Sequence, residues 1–137
     1  MRIFIVCSKA FYDKVLEIKK PLEEAGHTIT LPNSFDNPAR EDEMRVKGEL
    51  THAEWKAEMI KEQNKKIALN DAILVINYKK DDQENYIGGA TFLEIYKAFE
   101  LGKKIFFYNP VPNGILRDEL LGMQPTIING NLALIEA

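Results

Sequence analysis

The chain has 137 residues, of which 45% are hydrophobic and 28% charged, and its formal net charge is −3. This composition excludes a disordered or fibrous protein and suits one domain spanning residues 1–137. The slight acidic excess argues against a protein that binds polymeric nucleic acid, although not against one that acts on a nucleotide. A single cysteine, Cys7, excludes an intramolecular disulfide and a cysteine-rich zinc site.

Location and metal content follow from the same features. No apolar run reaches the ~20 residues that span a bilayer, and the first residues lack the pattern of a signal peptide. The two histidines, His27 and His52, have no further metal ligands spaced around them. We therefore expect a soluble cytoplasmic protein that contacts no membrane and needs no metal or cofactor.

The first part of the chain has the pattern of a βαβ unit. Residues 3–7 (IFIVC) form a short apolar run that predicts a buried strand. Gly26 is placed to end a helix, and residues 27–31 (HTITL) alternate as a second strand does. The predicted helix between them has apolar residues at steps of three and four, namely Phe11, Val15, Ile18 and Leu22. Such a unit is right-handed, with its strands parallel.

The middle of the chain is more polar. Residues 33–48 are mostly hydrophilic, and acidic and basic side chains occur in equal number over residues 39–66. Balanced charge predicts a solvated face, although this segment could also fold over the carboxyl edge of the sheet as a lid. Thr51 and Glu54 have the spacing of a capping box, which predicts that a helix begins there. Its expected buried residues are Trp55, Met59, Ile60, Ile67 and Leu69.

The second half continues the alternation of strands and helices. Strands are predicted at residues 72–76, 105–108 and 126–128, and helices at residues 92–101 and 115–121. Residues 132–135 either extend the last strand or form a separate edge piece. This order predicts an α/β fold with an open five-stranded parallel sheet and helices on both faces. Ligands bind such sheets at the carboxyl ends of the strands.

One segment at that edge carries the functional signal. Gly88 and Gly89 follow a polar loop and precede a helix, where backbone N–H groups and the helix dipole suit an anion such as phosphate, or where a tight turn simply needs glycine. Glu94 follows in the first predicted turn. It is a candidate nucleophile for a sugar carbon, or it forms a capping box with Thr91.

Three stretches together favour the functional reading. DAILVIN at residues 71–77, YIGGATFLE at residues 86–94 and AFELGKKI at residues 98–105 resemble the nucleoside 2-deoxyribosyltransferase superfamily, in particular its small bacterial and archaeal members. The resemblance implies a flavodoxin-like, Rossmann-like fold. It also implies that Glu94 attacks C1′ of a nucleoside or nucleotide, so that a covalent glycosyl-enzyme forms and the base leaves.

The resemblance implies part of the phosphate site, and positions at the strand ends and before the glycines add further candidates for binding substrate. Loop amides at Gly88 and Gly89, with Ser8 after the first strand, are the expected phosphate site, and Lys9 is a further candidate. Tyr86 either stacks on the base or packs over its own loop. Asn109 ends the fourth strand at the expected rim of the site.

One position departs from the family pattern. Asn77 stands where family enzymes often carry the aspartate that handles the proton of the leaving base, and an amide cannot exchange that proton. Asp81 or Asp82 could substitute for it.

The glycine-rich segment is also similar to that of cytokinin-activating phosphoribohydrolases, which act on the same kind of bond. The alternative is a non-catalytic nucleotide-binding or sensing module. In either case we expect a homo-oligomer.

Overall fold

The computed structural model describes residues 1–136, which form a single five-stranded sheet with every neighbouring pair of strands parallel. The order β2-β1-β3-β4-β5 is that of the flavodoxin-like fold, so the predicted fold class is confirmed. The strands are β1 (Arg2–Val6), β2 (Thr28–Thr30), β3 (Ala72–Val75), β4 (Lys104–Phe107) and β5 (Thr126–Ile127). The helices are α1 (Tyr12–Glu24), α2 (Arg40–Lys47), α3 (Glu49–Leu69), α4 (Gly89–Glu100) and α5 (Arg117–Gly122).

The central strands are apolar on both sides because both faces of the sheet are covered. Phe4 and Val6 of β1 point into a core formed with α3, α4 and α5, whereas Ile3 and Ile5 point into a second core formed with α1. All four side chains are fully buried. Alternation along each strand therefore divides one hydrophobic run between two cores.

The C-terminal segment completes the face that α1 covers. Ile128 and Ile135 are buried in that core, and the segment between them contains a single 3₁₀ turn at Leu132–Leu134. The predicted strand at residues 132–135 is therefore wrong. His27 holds the segment in place, because its buried ring lies 2.9 Å from the Met1 amine and 3.1 Å from the Ile135 carbonyl oxygen.

The helices of the polar middle segment differ from the prediction. No helix is predicted from the sequence over residues 33–48, yet α2 occupies Arg40–Lys47, with acidic residues in its first turn and basic residues in its last. That charge order favours a helix through its macrodipole. The capping box at Thr51 is wrong: α3 begins at Glu49, and Gly48 precedes it with φ 131°, a conformation that favours glycine.

The buried side of α3 also differs in part. Ile67 is fully buried, but Leu69 is 67% exposed, although the sequence placed both on the inner face. The helix ends at Leu69, and Asn70 turns the chain into β3 instead, with its Nδ2 donating to the Lys66 carbonyl oxygen at 2.7 Å. Leu69 is exposed because it lies two residues after Ile67, about 200° around the helix, and so cannot share its inner face.

These two residues make a matched pair for a stability test. We expect Ile67→Ala to lower the free energy of unfolding by roughly 2–5 kcal/mol, because it opens a cavity between α3 and the sheet. Leu69→Ala should change it by less than about 0.5 kcal/mol, because the side chain is mostly in solvent. Urea denaturation measures both, and equal losses for the two variants would contradict this packing.

Candidate functional site

A cavity of about 790 Å³ lies at the carboxyl edge of the sheet. Its walls come from four parts of the chain: the turn after β1, the segment from the end of β2 through α2, the first two thirds of α3, and the loop before α4 together with the first half of that helix. The volume is in the range of pockets that bind small molecules and cofactors. Six of the eight predicted site residues line it, namely Ser8, Lys9, Tyr86, Gly88, Gly89 and Glu94.

Glu94 reaches this cavity from the buried face of α4. The helix begins at Gly89 with Gly88 as its cap, so Glu94 lies in the second turn and Thr91 is the third helical residue. The predicted first-turn position and the alternative capping box are therefore both wrong. Glu94 is only 6% exposed and shares the inner face of α4 with Ile95. Helical side chains tilt towards the N-terminus, which brings the carboxyl back to the cavity.

The environment of Glu94 favours its protonated form. Burial raises the pKa of the carboxyl from an ordinary 4.5 to about 8, and the charges of Lys66 and Lys56 on α3 offset only part of this rise. Within residues 1–136, no group donates a hydrogen bond to the carboxyl oxygens. The side chain is therefore held by packing and leaves its oxygens available to a ligand in the cavity.

The start of α4 offers backbone donors to the same cavity. Its first internal hydrogen bond runs from the Phe92 N–H to the Gly88 carbonyl, so the N–H groups of the first turn have no partner in the helix. A Cβ on Gly88 would lie 3.2 Å from the Tyr86 hydroxyl, whereas one on Gly89 would meet nothing within 4 Å. Gly88 therefore makes room for the Tyr86 ring.

Tyr86 is fixed by its neighbours as well as facing the cavity. Its ring packs edge-on against Phe11 with centroids 6.4 Å apart, and the Lys80 ammonium lies 4.7 Å from its centroid. Tyr86 therefore packs over its loop, and one side of it borders the cavity. Stacking of this ring on a base stays a prediction.

Ser8 and Lys9 border the cavity from the turn after β1. The Ser8 hydroxyl accepts a hydrogen bond from the Ala10 N–H at 3.3 Å and so caps the 3₁₀ turn at Lys9–Phe11. The Lys9 ammonium donates to Asp42 of α2 at 3.1 Å and thereby links this turn to the opposite wall. Both groups are available to an anion, although each already has a partner.

The wall formed by α2 and α3 carries a charged cluster that sequence reasoning missed. Glu41 Oε2 accepts from His52 Nε2 at 3.0 Å and lies 3.3 Å from both the Lys56 ammonium and an Arg45 guanidinium nitrogen. Burial alone would raise the pKa of Glu41, but the hydrogen bond from His52 and these two cations hold it below its ordinary value. The cluster could not be found from the sequence because α2 was not predicted.

Asn77 and Asn109 lie outside the cavity and contact each other. The Asn77 Nδ2 donates to the carbonyl oxygens of Asn109 and Pro110, at 3.0 Å each, and its Oδ1 accepts from the Asn109 N–H at 2.9 Å. The Asn109 Nδ2 donates to the Asn77 carbonyl oxygen at 3.0 Å. Together these hydrogen bonds link the carboxyl ends of β3 and β4. The Asn77 side chain is fully buried, and both its amide nitrogen and its amide oxygen take part in these bonds.

The remaining groups near the cavity provide neither a reactive thiolate nor a cluster of metal ligands. Burial raises the pKa of the Cys7 thiol to about 12, with Glu94 and Asp13 adding to the shift, so the thiol stays protonated. Among residues 1–136, no three His, Cys, Asp or Glu side chains come together as metal ligands would. No helix in the same range has the length and apolar character needed to cross a membrane.

Comparisons with known proteins found no matching family model, no matching curated protein and no matching solved structure. The cavity and Glu94 are therefore the features that bear on function.

The buried carboxyl gives stability a defined pH dependence. Between pH 4.5 and about 8, Glu94 ionises in the unfolded chain but not in the folded one, so its burial costs more stability as the pH rises through this window. The free energy of unfolding of Glu94→Gln should match that of the wild type near pH 4 and exceed it at pH 8 by up to ~5 kcal/mol. Thermal denaturation across this pH range measures the difference, and a constant gap would contradict the burial of a protonated carboxyl.

The amide pair between β3 and β4 gives a second stability test. Asn77→Ala should lower the free energy of unfolding by roughly 2–4 kcal/mol, because it removes the three hydrogen bonds between the buried Asn77 side chain and the backbone of Asn109 and Pro110. The control is Asn113→Ala, an exposed position where the change should stay below about 0.5 kcal/mol. If urea unfolds both variants at the same concentration, the pair does not hold the two strand ends together.

Proposed function

We propose that this protein is a nucleotide-processing enzyme that cleaves the N-glycosidic bond of a nucleoside or nucleotide, or transfers its deoxyribosyl group, with Glu94 as nucleophile. The proposal includes membership of the nucleoside 2-deoxyribosyltransferase superfamily. The observation that carries it is a buried carboxyl without hydrogen-bond donors, which borders a cavity of about 790 Å³ beside the first turn of α4. A carboxylate so placed has the character of a nucleophile in glycosyl transfer.

The proposed reaction has two steps. A Glu94 oxygen forms a bond to C1′ while the bond from C1′ to the base nitrogen breaks, and the base takes the bonding electrons and then a proton from solvent. The product is a glycosyl ester of Glu94. Water or a second base then attacks C1′ and releases the carboxylate, which completes hydrolysis or transfer.

Glu94 must lose its proton before the first step. With a pKa of about 8, only a minor fraction of the free enzyme carries the carboxylate at neutral pH. Lys66 and Lys56 favour that fraction through their charges. Base release should therefore increase with pH and level off above pH 8, because kcat/KM follows the ionisation of the free enzyme.

A phosphate on the substrate would be bound by a few groups at one end of the cavity. The unpaired N–H groups at the start of α4, the Ser8 hydroxyl and the Lys9 ammonium all border the cavity. These groups support a 5′-monophosphate as part of the substrate, because a helix N-terminus with nearby hydroxyl and ammonium groups favours an anion.

We also propose that the protein acts in the cytoplasm as a homo-oligomer. Exposed apolar side chains on α4 support the association, since Leu93, Tyr96 and Phe99 are 42%, 51% and 47% exposed. Leu93 also borders the cavity, so a neighbouring subunit on this face would lie beside the site.

A second candidate is a module on the same fold that binds a nucleotide without cleaving it. The protonated state of Glu94 at neutral pH favours it, because a neutral carboxyl can donate a hydrogen bond to a ligand but is a poor nucleophile. Asn77 is also committed to β4 and offers no proton to a leaving base.

The decisive experiment measures base release from a panel of deoxynucleosides and their 5′-monophosphates. We expect Glu94→Gln to lower kcat/KM by ~10³-fold or more, because it removes the nucleophile. The matched control is Glu100→Gln, which changes an exposed glutamate on the same helix and should leave the rate unchanged. If no base is released, or if Glu94→Gln is as fast as the wild type, the enzymatic proposal fails. A nucleotide that raises Tm yet stays intact favours the second candidate.

A further inference from the structure

One ion pair joins two opposite walls of the cavity, the turn after β1 and α2. The Lys9 ammonium donates to Asp42 Oδ2 at 3.1 Å, and within residues 1–136 no other hydrogen bond or ion pair between side chains connects this turn to α2. The two side chains are 42% and 64% exposed. An ion pair with this exposure contributes little to stability, so its partners can be exchanged at low cost.

Asp42 retains a partner when Lys9 leaves it. Its other oxygen, Oδ1, accepts from Arg45 Nη1 at 3.2 Å on the same helix. The hydrogen bond from Lys9 is the main cause that holds the pKa of Asp42 below its ordinary value, and Arg45 acts in the same direction. The carboxylate is therefore ionised, and it remains paired with Arg45 in the absence of Lys9.

Lys9 lies beside the groups that would bind a phosphate. Ser8 precedes it, and both residues border the cavity together with Gly89 and Ala90 at the start of α4. The ammonium has three N–H donors, of which Asp42 takes one in the part of the chain that the structure describes. An anion that enters the cavity therefore meets an ammonium whose charge is already compensated by Asp42.

We propose that the Lys9–Asp42 ion pair is an autoinhibitory contact, in which Asp42 occupies the ammonium that a ligand phosphate would use. The phosphate displaces Asp42 from Lys9 when it binds. This inference rests on the proposed function for the phosphate of the ligand, and it adds a residue outside the cavity wall that sets the affinity for that phosphate.

The displacement follows from charge. A phosphate monoester carries a charge of about −1.5 to −2 at pH 7, which exceeds the single charge of a carboxylate. Two anions on one ammonium repel each other because they are only a few ångströms apart, so binding of the phosphate to Lys9 displaces Asp42. Asp42 therefore lowers the affinity of the protein for phosphate, and salt should reduce this effect because the pair is exposed.

The test measures binding of inorganic phosphate, which requires neither a base nor a reaction. The backbone amides of Gly89 and Ala90 are followed by NMR titration at pH 7 and constant ionic strength. We expect Asp42→Asn to lower the Kd about threefold, which is the scale of an exposed ion pair. The matched control is Glu43→Gln, which removes the same charge from the next, exposed residue of α2 and should leave the Kd nearly unchanged.

Three results would overturn the inference. Equal effects of Asp42→Asn and Glu43→Gln would mean that only the net charge of the protein matters. Weaker binding by Asp42→Asn would mean that Asp42 positions Lys9 for the phosphate instead of competing with it. The absence of phosphate binding in every variant would mean that Lys9 belongs to no phosphate site.

A double-mutant cycle determines whether Asp42 acts through Lys9. Lys9→Gln should weaken the binding of inorganic phosphate, because it removes the ammonium. In the Lys9→Gln background, Asp42→Asn should have no larger effect than Glu43→Gln. If Asp42→Asn tightens binding equally with and without Lys9, the ion pair is not the cause and the inference is overturned.

This inference and the proposed function fail in different ways. If the wild-type protein releases base but Asp42→Asn and Glu43→Gln bind phosphate alike, the autoinhibitory contact fails and the enzymatic function stands. If Asp42→Asn tightens phosphate binding through Lys9 but no base is released from any nucleotide, the contact stands and the enzymatic function fails.

Discussion

The burial of the Glu94 carboxyl between α4, α3 and the sheet is the constraint around which the site is organised. An ionisable group in this position is tolerated because it stays protonated and because two α3 lysines, Lys66 and Lys56, lie close enough to reduce the cost of ionising it. The tilt of helical side chains brings its oxygens to the cavity. The functional group is therefore positioned by the packing of secondary structure rather than by a hydrogen-bond network.

The rest of the cavity provides hydrogen-bond donors and charged side chains. The start of α4 and the turn after β1 provide donors for an anion, and the charged cluster around Glu41 joins α2 to α3 on the opposite side. A buried carboxyl without hydrogen-bond donors, such as that of Glu94, costs folding stability, and proteins retain such groups mainly where they serve a function.

Much of the fold could be predicted because its signals are local. The runs at β1, β3 and β4 are continuously apolar, and only a strand covered on both faces needs that pattern. The glycine-rich entry to α4 also placed Glu94 at the correct edge of the sheet. Helix starts were less predictable, since Thr91 and Thr51 match a capping pattern but the helices begin earlier, at glycine caps. The role of Asn77 depends on Asn109 and Pro110, which lie more than 30 residues further along the chain, so the sequence alone does not reveal it.

The protonation state of Glu94 is the central claim, and it can be measured directly. Protein labelled with ¹³C at the glutamate carboxyl carbons is titrated by NMR, and Glu94→Gln identifies the Glu94 resonance by its loss. We predict that the Glu94 carboxyl titrates with a pKa of about 8. A Glu94 resonance that titrates near 4.5 would contradict it, because the carboxyl would then be solvated and the site would lack its organising group.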